Sequence, residues 1–223
     1  MTTPKPVVLF GVGDLARLAH VYLRDDSPYE VAAFTVTEEY RSGDSFRGLP
    51  LVPFERIDSE YPPDEVAMFV AIGYSRTNRN RRGVYEQCKQ RGYELITYVN
   101  SRAQRAAEVE VGDNVFVFED NVLQPFVTIG NDVILWSGNH IGHDTRIGDH
   151  CFVASHAVIS GHVTIGESCF VGVNATLRDG VTVAPDCVIG AGALIMKDTE
   201  PGGVYSVRGT EPSGTKSWEL ASF

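Results

Sequence analysis

"WSGNHIGHDTRIGDHCFVASHAVISGH", from Trp136 to His162, holds five of the chain's six histidines among glycines and evenly spaced branched aliphatics. Ile141, Ile147, Val153 and Ile159 recur here at every sixth residue, and the register extends in both directions. From Val111 to Ile195 every sixth position is aliphatic, fifteen times in succession without a slip. The next residue is often glycine (Gly130, Gly142, Gly148, Gly166, Gly172, Gly190). The fourth residue after each aliphatic is mostly small or branched, as at Val133, Thr145, Cys151, Ala157 and Ala175. A helix repeats near 3.6 and an isolated strand near 2, so neither produces an unbroken six. A hexapeptide β-helix does: each hexad supplies a short strand and a turn, and three hexads close one triangular coil. The aliphatics then stack inward along the axis, as in other solenoids, and glycine serves the sharp bends. Cys151, Cys169 and Cys187 lie eighteen residues apart on one inward column and read as small core residues. With Cys88 they match no zinc or redox spacing.

Upstream the pattern changes. "PVVLFGVGDLARLAHVYL" reads as an apolar strand, a glycine turn and a helix with Leu15, Leu18, Ala19 and Tyr22 on one face. Strands are predicted at Glu30–Thr37, Val66–Gly73 and Tyr93–Asn100, with a helix from about Thr77 to Arg91. Alternating strands and helices indicate a parallel, Rossmann-like sheet. The expected architecture is an α/β Rossmann-like domain over residues 1–104, then an all-β parallel β-helix of about five coils over 105–223.

Gly11-Val12-Gly13-Asp14-Leu15-Ala16 approximates GxGxxG/A between a strand and a helix, where backbone N–H groups favour phosphate. The same loop also serves as a tight strand-to-helix turn with no ligand. A dinucleotide site would want a ribose carboxylate some 20 residues on, and only Glu38 and Glu39 offer one. The arginine run Arg76, Arg79, Arg81 and Arg82 follows the third strand, where α/β sheets bind ligands. It reads as a diphosphate grip or as a solvated helix face. A net charge of −10 argues against nucleic acid as partner, and no apolar stretch is long enough to span a bilayer. The N-terminus lacks a signal-peptide pattern, and a cytoplasmic protein is expected.

The order of a Rossmann-like front and a hexapeptide back, with the run Ile141-Gly142-His143-Asp144, resembles the hexapeptide-repeat sugar acyltransferases. More narrowly, it is similar to bacterial acetyl-CoA-dependent N-acetyltransferases of nucleotide-linked amino sugars and to sialic-acid-locus O-acetyltransferases. The resemblance implies a left-handed helix, a homotrimer with active sites between neighbouring helices, and acetyl-CoA as co-substrate. It implies sugar-nucleotide contacts at Gly11, Gly13, Asp14, Leu15 and Gly73. The family's first loop carries Ser-Gly-His where this chain reads Gly13, Asp14 and Leu15. Contacts to CoA are implied at Gly172-Val173 and Gly190-Ala191, with Lys197 and Arg208 placed by charge to meet its phosphates. Those glycines also serve as simple turn formers.

In the family, Ile-x-His-Glu supplies the general base, which assigns His143 that role with Asp144 beside it. Attack of an amine or hydroxyl on a thioester releases a proton near neutral pH, where imidazole titrates. Coils eighteen residues apart stack at roughly 4.8 Å. That pairs Asp132 with His150, Asp144 with His162 and His156 with Asn174, so several histidines find polar neighbours without any catalytic role. The histidines are expected to spread over different edges, so no metal site is expected. Two rival functions remain: a catalytically silent nucleotide-binding assembly module, and a nicotinamide dehydrogenase using the glycine loop.

Overall fold

The computed structural model describes residues 4–219. The front half is a six-stranded sheet. Its elements are β1 (Val7–Phe10), α1 (Asp14–Asp26), β2 (Val31–Val36), β3 (Ser45–Phe46), β4 (Leu49–Pro53), α2 (Ile57–Glu60), β5 (Ala67–Val70), α3 (Arg79–Gln90) and β6 (Glu94–Leu95). The order is β3-β4-β2-β1-β5-β6, parallel except for the β3–β4 hairpin. That hairpin was not anticipated. Arg47 (φ 52°) and Gly48 (φ 82°) form its two-residue connection, with both residues left-handed as a type I′ turn requires. Gly11 ends β1 at φ 131°, and a Cβ there would stand 2.8 Å from the Ala71 carbonyl oxygen. Gly11→Ala is therefore expected to cost about 1–3 kcal/mol of strain, read as a lowered Tm. An unchanged Tm would show that β1 and β5 can separate without penalty.

The segment Tyr93–Asn100 is two strands rather than one. Glu94–Leu95 ends the front sheet, and Tyr98–Val99 (β7) pairs with Phe116–Val117 in the β-helix. The coil ladder thus reaches back before the junction expected at 104/105. Its three faces hold seven, six and five parallel strands. Every register is eighteen residues through the repeat, for example Phe116↔Ile134 and Ile134↔Phe152. The inward column from Val117 to Ile195 is buried along its whole length, and Cys151, Cys169 and Cys187 pack beside it in the same core. Each fully buried Val or Ile contributes about 1.5–3 kcal/mol relative to exposure.

The turns explain three of the five clustered histidines. Every sixth residue from Asn114 to Gly192 has positive φ: Asn114, Asp120, Phe126, Asp132, Gly138, Asp144, His150, His156, His162, Ser168, Asn174, Gly180, Asp186 and Gly192. All but Phe126 and Ser168 are of the types most tolerant of left-handed backbone. His150, His156 and His162 are therefore where a hexapeptide coil turns its corners.

The three faces have different fates. Phe116, Ile134, Phe152 and Phe170 project outward from the first face and pack with the front domain, including Tyr22, Phe69 and Tyr74. The second face turns out Val122, His140, Val158, Thr176 and Leu194, with Val158 and Leu194 exposed. The third presents Glu110, Thr128, Arg146, Thr164 and Thr182, which are polar or charged. Among the described residues, no helix is long and apolar enough to cross a membrane.

The corner between third and first faces carries Asn114, Asp132, His150 and Ser168, all buried. The arginine run divides there. Arg81 is fully buried: Nε donates to Asp132 Oδ1 at 3.0 Å, and Nη2 donates to the carbonyls of Asp132, His150 and Cys151 at 2.9–3.0 Å. Asp132 also accepts from Asn114 Nδ2 at 2.7 Å and lies 2.9 Å from His150 Nδ1, the stacking expected. Arg79 and Arg82 pair at the surface with Asp186 and with Glu86 and Glu167. The run is neither a simple diphosphate grip nor a solvated face. Arg81 ties α3 to the β-helix, and Arg76 alone reaches the cavity described below.

Candidate active site

A cavity of about 700 Å³ opens at the C-terminal ends of β1, β2 and β5. It lies where β2 and β5 flank β1 on opposite sides, the switch point at which open α/β sheets take ligands. Gly11, Gly13, Asp14, Leu15 and Gly73, the five residues expected at a sugar nucleotide, all line it. Gly11 is demanded by the close approach of β5. Gly13 has open space where a Cβ would be and caps α1 with no side-chain hydrogen bond. The N-terminal turn of α1, with its partial positive charge and no side-chain cap, therefore borders the cavity. Leu15 is a largely buried wall residue, and Asp14 pairs with Arg17 at 3.1 Å on the surface, a contact worth little.

Sequence reasoning missed the rest of the wall. Tyr40, Tyr74 and Arg76 come from the loops after β2 and β5, while Trp136 and Phe152 come from the β-helix. The Tyr74 ring packs against Phe152 and Phe170, with centroids 4.9 Å apart in each case. Arg76, Thr77 and Asn78 are three successive left-handed residues. Buried Asn78 holds them there, donating to the Cys169 carbonyl at 3.0 Å and accepting from Arg81 at 3.3 Å. The apolar outward column at Phe116, Ile134, Phe152 and Phe170, one residue before each inward aliphatic, was the available signal for this contact. Glu38 does not line the cavity; its carboxylate pairs with Arg41 at 3.3 Å.

His143 occupies the opposite end of the second face, at the corner between second and third faces, and does not line that cavity. Gln124 Oε1 accepts from its backbone N–H at 2.9 Å. Its Nδ1 lies 2.9 Å from Asp144 Oδ2, so the aspartate reaches the imidazole directly despite being a methylene shorter than glutamate. Asp144 sits at a left-handed turn position (φ 57°), which suits Asp. With Nδ1–H donated to the carboxylate, Nε2 keeps its lone pair for a proton. The ring lies over Gly161 in the next coil, where a Cβ would stand 2.8 Å from Cε1 and Nε2. Both His143 and Asp144 are about half exposed.

The expectation that the histidines stay apart is corrected here. His143 and His162 rings meet edge-on with centroids 4.8 Å apart, and one ligating atom each from His143, Asp144 and His162 lies within 4.8 Å of the others. Adjacent coils bring together residues that an eighteen-residue column alone would separate. His150 is at the domain junction, His140 is on the second face, and His156 lies over Gly138.

Gly172 and Gly190 are demanded by coil stacking. A Cβ at Gly172 would lie 2.6 Å from Ala191 N, and one at Gly190 3.0 Å from the Tyr205 oxygen. Beside them Val173 and Ala191 are exposed on the corner between first and second faces. Lys197 is exposed on the other corner, in line with His143, and Arg208 is exposed in the tail. One chain thus sets His143 and the expected CoA-contacting glycines at opposite ends of one face.

This triangular helix of hexads is shared with a known class. The family model for the bacterial transferase hexapeptide (six repeats) matches residues 126–161 and 162–197. The solved structure of PerB from Caulobacter crescentus in complex with CoA and GDP-perosamine is 26% identical, with a TM-score of 0.81, covering 92% of this chain and 97% of that one. The acetyltransferase domain of PglB from Neisseria gonorrhoeae shares the fold at 23% identity and a TM-score of 0.81, covering 90% and 95%. WeeI from Acinetobacter baumannii does so at 17% and 0.69, covering 89% and 95%. No curated protein matches the chain in sequence. Residues 126–197 thus carry the transferase hexapeptide repeat, and the chain shares its fold with the PerB, PglB and WeeI structures.

Proposed function

We propose that the chain transfers the acetyl group of acetyl-CoA to the amine of a nucleotide-linked amino sugar, with His143 as general base. The observation that carries this reading is the His143–Asp144 pair, which leaves Nε2 free on an open corner. The similar PerB structure holds CoA and GDP-perosamine, which supports both substrate classes. In the cavity, the α1 N-terminus and Arg76 suit a diphosphate, and Tyr40, Tyr74 and Trp136 suit apolar contact with a base or sugar.

The acceptor nitrogen attacks the thioester carbonyl and its proton passes to His143 Nε2. The tetrahedral intermediate, its oxyanion held by backbone N–H groups or water, collapses with cleavage of the C–S bond. The proton then moves to the departing thiolate, and the imidazole is restored. Asp144 fixes the tautomer and stabilises the imidazolium.

Because the cavity and His143 lie apart in one chain, the reading includes a homotrimer, in which one copy's cavity meets another's corner. The exposed apolar residues of the second face, Val158 and Leu194, support self-association. Light scattering on the purified protein is expected to give three times the 24.4 kDa chain mass. A monomer with full activity would contradict the shared site.

A thermal-shift panel of UDP-, GDP- and dTDP-sugars, with and without CoA, tests the substrate assignment. A ligand at a hundredfold excess over its Kd adds about 2.7 kcal/mol. For a chain of this length that is several degrees, at roughly 2–4 °C per kcal/mol. One nucleotide class and CoA are each expected to raise Tm. A shift with nicotinamide dinucleotide alone would favour the dehydrogenase reading instead.

A further inference from the structure

We propose that His143, Asp144 and His162 form a capture site for a divalent transition-metal ion, and that its occupancy switches acyl transfer off. The switching half rests on the reading of His143 as the base; the capture half rests on geometry alone.

The three side chains come from two adjacent coils. Asp144 and His162 occupy equivalent left-handed turn positions one coil apart, at φ 57° and 55°. The His162 backbone N–H donates to the His143 carbonyl at 2.9 Å, which locks the two turns together. One ligating atom from each side chain already lies within 4.8 Å of the others. Gly161 lets the His143 ring pack directly against the next coil. The point that a Gly161 Cβ would occupy is 2.8 Å from His143 Nε2 and 3.1 Å from Asp179 Oδ1. The Asp179 carboxylate, one coil further on, lies near the same point.

Two imidazoles with one or two carboxylates form a donor set suited to zinc, cobalt, nickel or copper, and poor for magnesium or calcium. Zinc takes such ligands at roughly 2.0–2.2 Å. All three side chains are exposed enough to rotate inward and close the remaining distance. The same exposure makes the site exchangeable, open to the surrounding metal pool.

Metal and proton compete for the same electrons. Binding requires neutral imidazoles and a carboxylate, and an ion on His143 removes the lone pair that must accept the acceptor's proton. No covalent bond of the substrates changes. The site is reversibly blocked, and a chelator restores it.

The test uses the full-length protein stripped with a chelator and then titrated with Co²⁺. The expected result is one Co²⁺ bound per chain, with visible ligand-field absorption, displaced by Zn²⁺. His162→Gly removes one ligand and relieves the left-handed strain at that turn, so the fold is retained. Disturbing even an outer-shell partner of a metal typically weakens affinity about 10–100-fold, so loss of a ligand is expected to cost at least as much. The variant is expected to keep acetyl transfer and lose its inhibition by Zn²⁺. Undiminished Co²⁺ binding in His162→Gly would mean an adventitious ion only, and absence of binding by the unmodified protein would end the proposal outright. Zinc bound without loss of turnover would overturn the switch. Cobalt bound through these residues, in a protein whose turnover survives His143→Ala, would leave capture standing and remove His143 as base.

Discussion

His143→Ala is expected to lower kcat by about 10²–10⁴-fold, the range that general acid–base catalysis supplies. KM for acetyl-CoA and for the sugar acceptor is expected to change little. The ring contacts neither the cavity at the ends of β1, β2 and β5 nor the glycine corner, so its loss removes an interaction made in the transition state. The backbone N–H of residue 143 keeps its bond to Gln124, and the imidazole is half exposed, so the fold loses little. Circular dichroism and Tm should match the unmodified protein. Asp144→Asn retains the turn preference at φ 57° and removes the carboxylate from Nδ1. It is expected to reduce kcat by less than His143→Ala does, since the base itself remains. An unaltered kcat/KM in His143→Ala would remove the base from the mechanism.

Arg81→Met is expected to destabilise the protein by about 3–5 kcal/mol, the cost of stripping one partner from a buried ion pair. Arg81 and Asp132 are both fully buried, and the guanidinium also fills three β-helix carbonyls and the Asn78 side chain. Without it, the Asp132 charge keeps only Asn114 and His150 as neighbours. At roughly 2–4 °C per kcal/mol for a chain of this size, the midpoint should fall by many degrees. Adding Asp132→Asn removes the stranded charge and retains a residue that accepts left-handed backbone. The double variant should be less destabilised than the sum of the singles, a coupling expected of contacting groups. A Tm within a degree of the parent for Arg81→Met would show that the junction does not depend on this network.

The β-helix was legible because one physical requirement repeats without interruption: an aliphatic must point inward at each strand. Other columns carry information of the same kind. The left-handed column from Asn114 to Gly192 accounts for three of the five clustered histidines, and the outward aromatics at Phe116, Phe152 and Phe170 mark the face under the front sheet. Both are periodic and could have been read from spacing. Less could be read where the outcome depends on how the two halves meet. Four arginines in seven residues look equivalent in sequence, yet one is an internal clamp, two are surface pairs and one faces the cavity. Tyr93–Asn100 has the alternation of a single strand. It divides because Thr97 leaves the front sheet and donates to the Gly112 carbonyl of the first coils at 2.7 Å. The meeting of His143 with His162 depends on ring directions at two successive turns, which a column count does not contain. The five loop residues expected at a sugar nucleotide do lie together on one wall, because strand-to-helix loops of a parallel sheet open on the same edge.

The decisive measurement is stoichiometric turnover by the unmodified protein with acetyl-CoA and a nucleotide-linked amino sugar. Free thiol release is followed alongside mass spectrometry of the sugar. The account predicts one N-acetylated sugar nucleotide for each CoA thiol released. Thiol release without an acetylated sugar, or none with any nucleotide-linked amine while CoA is bound, would contradict it.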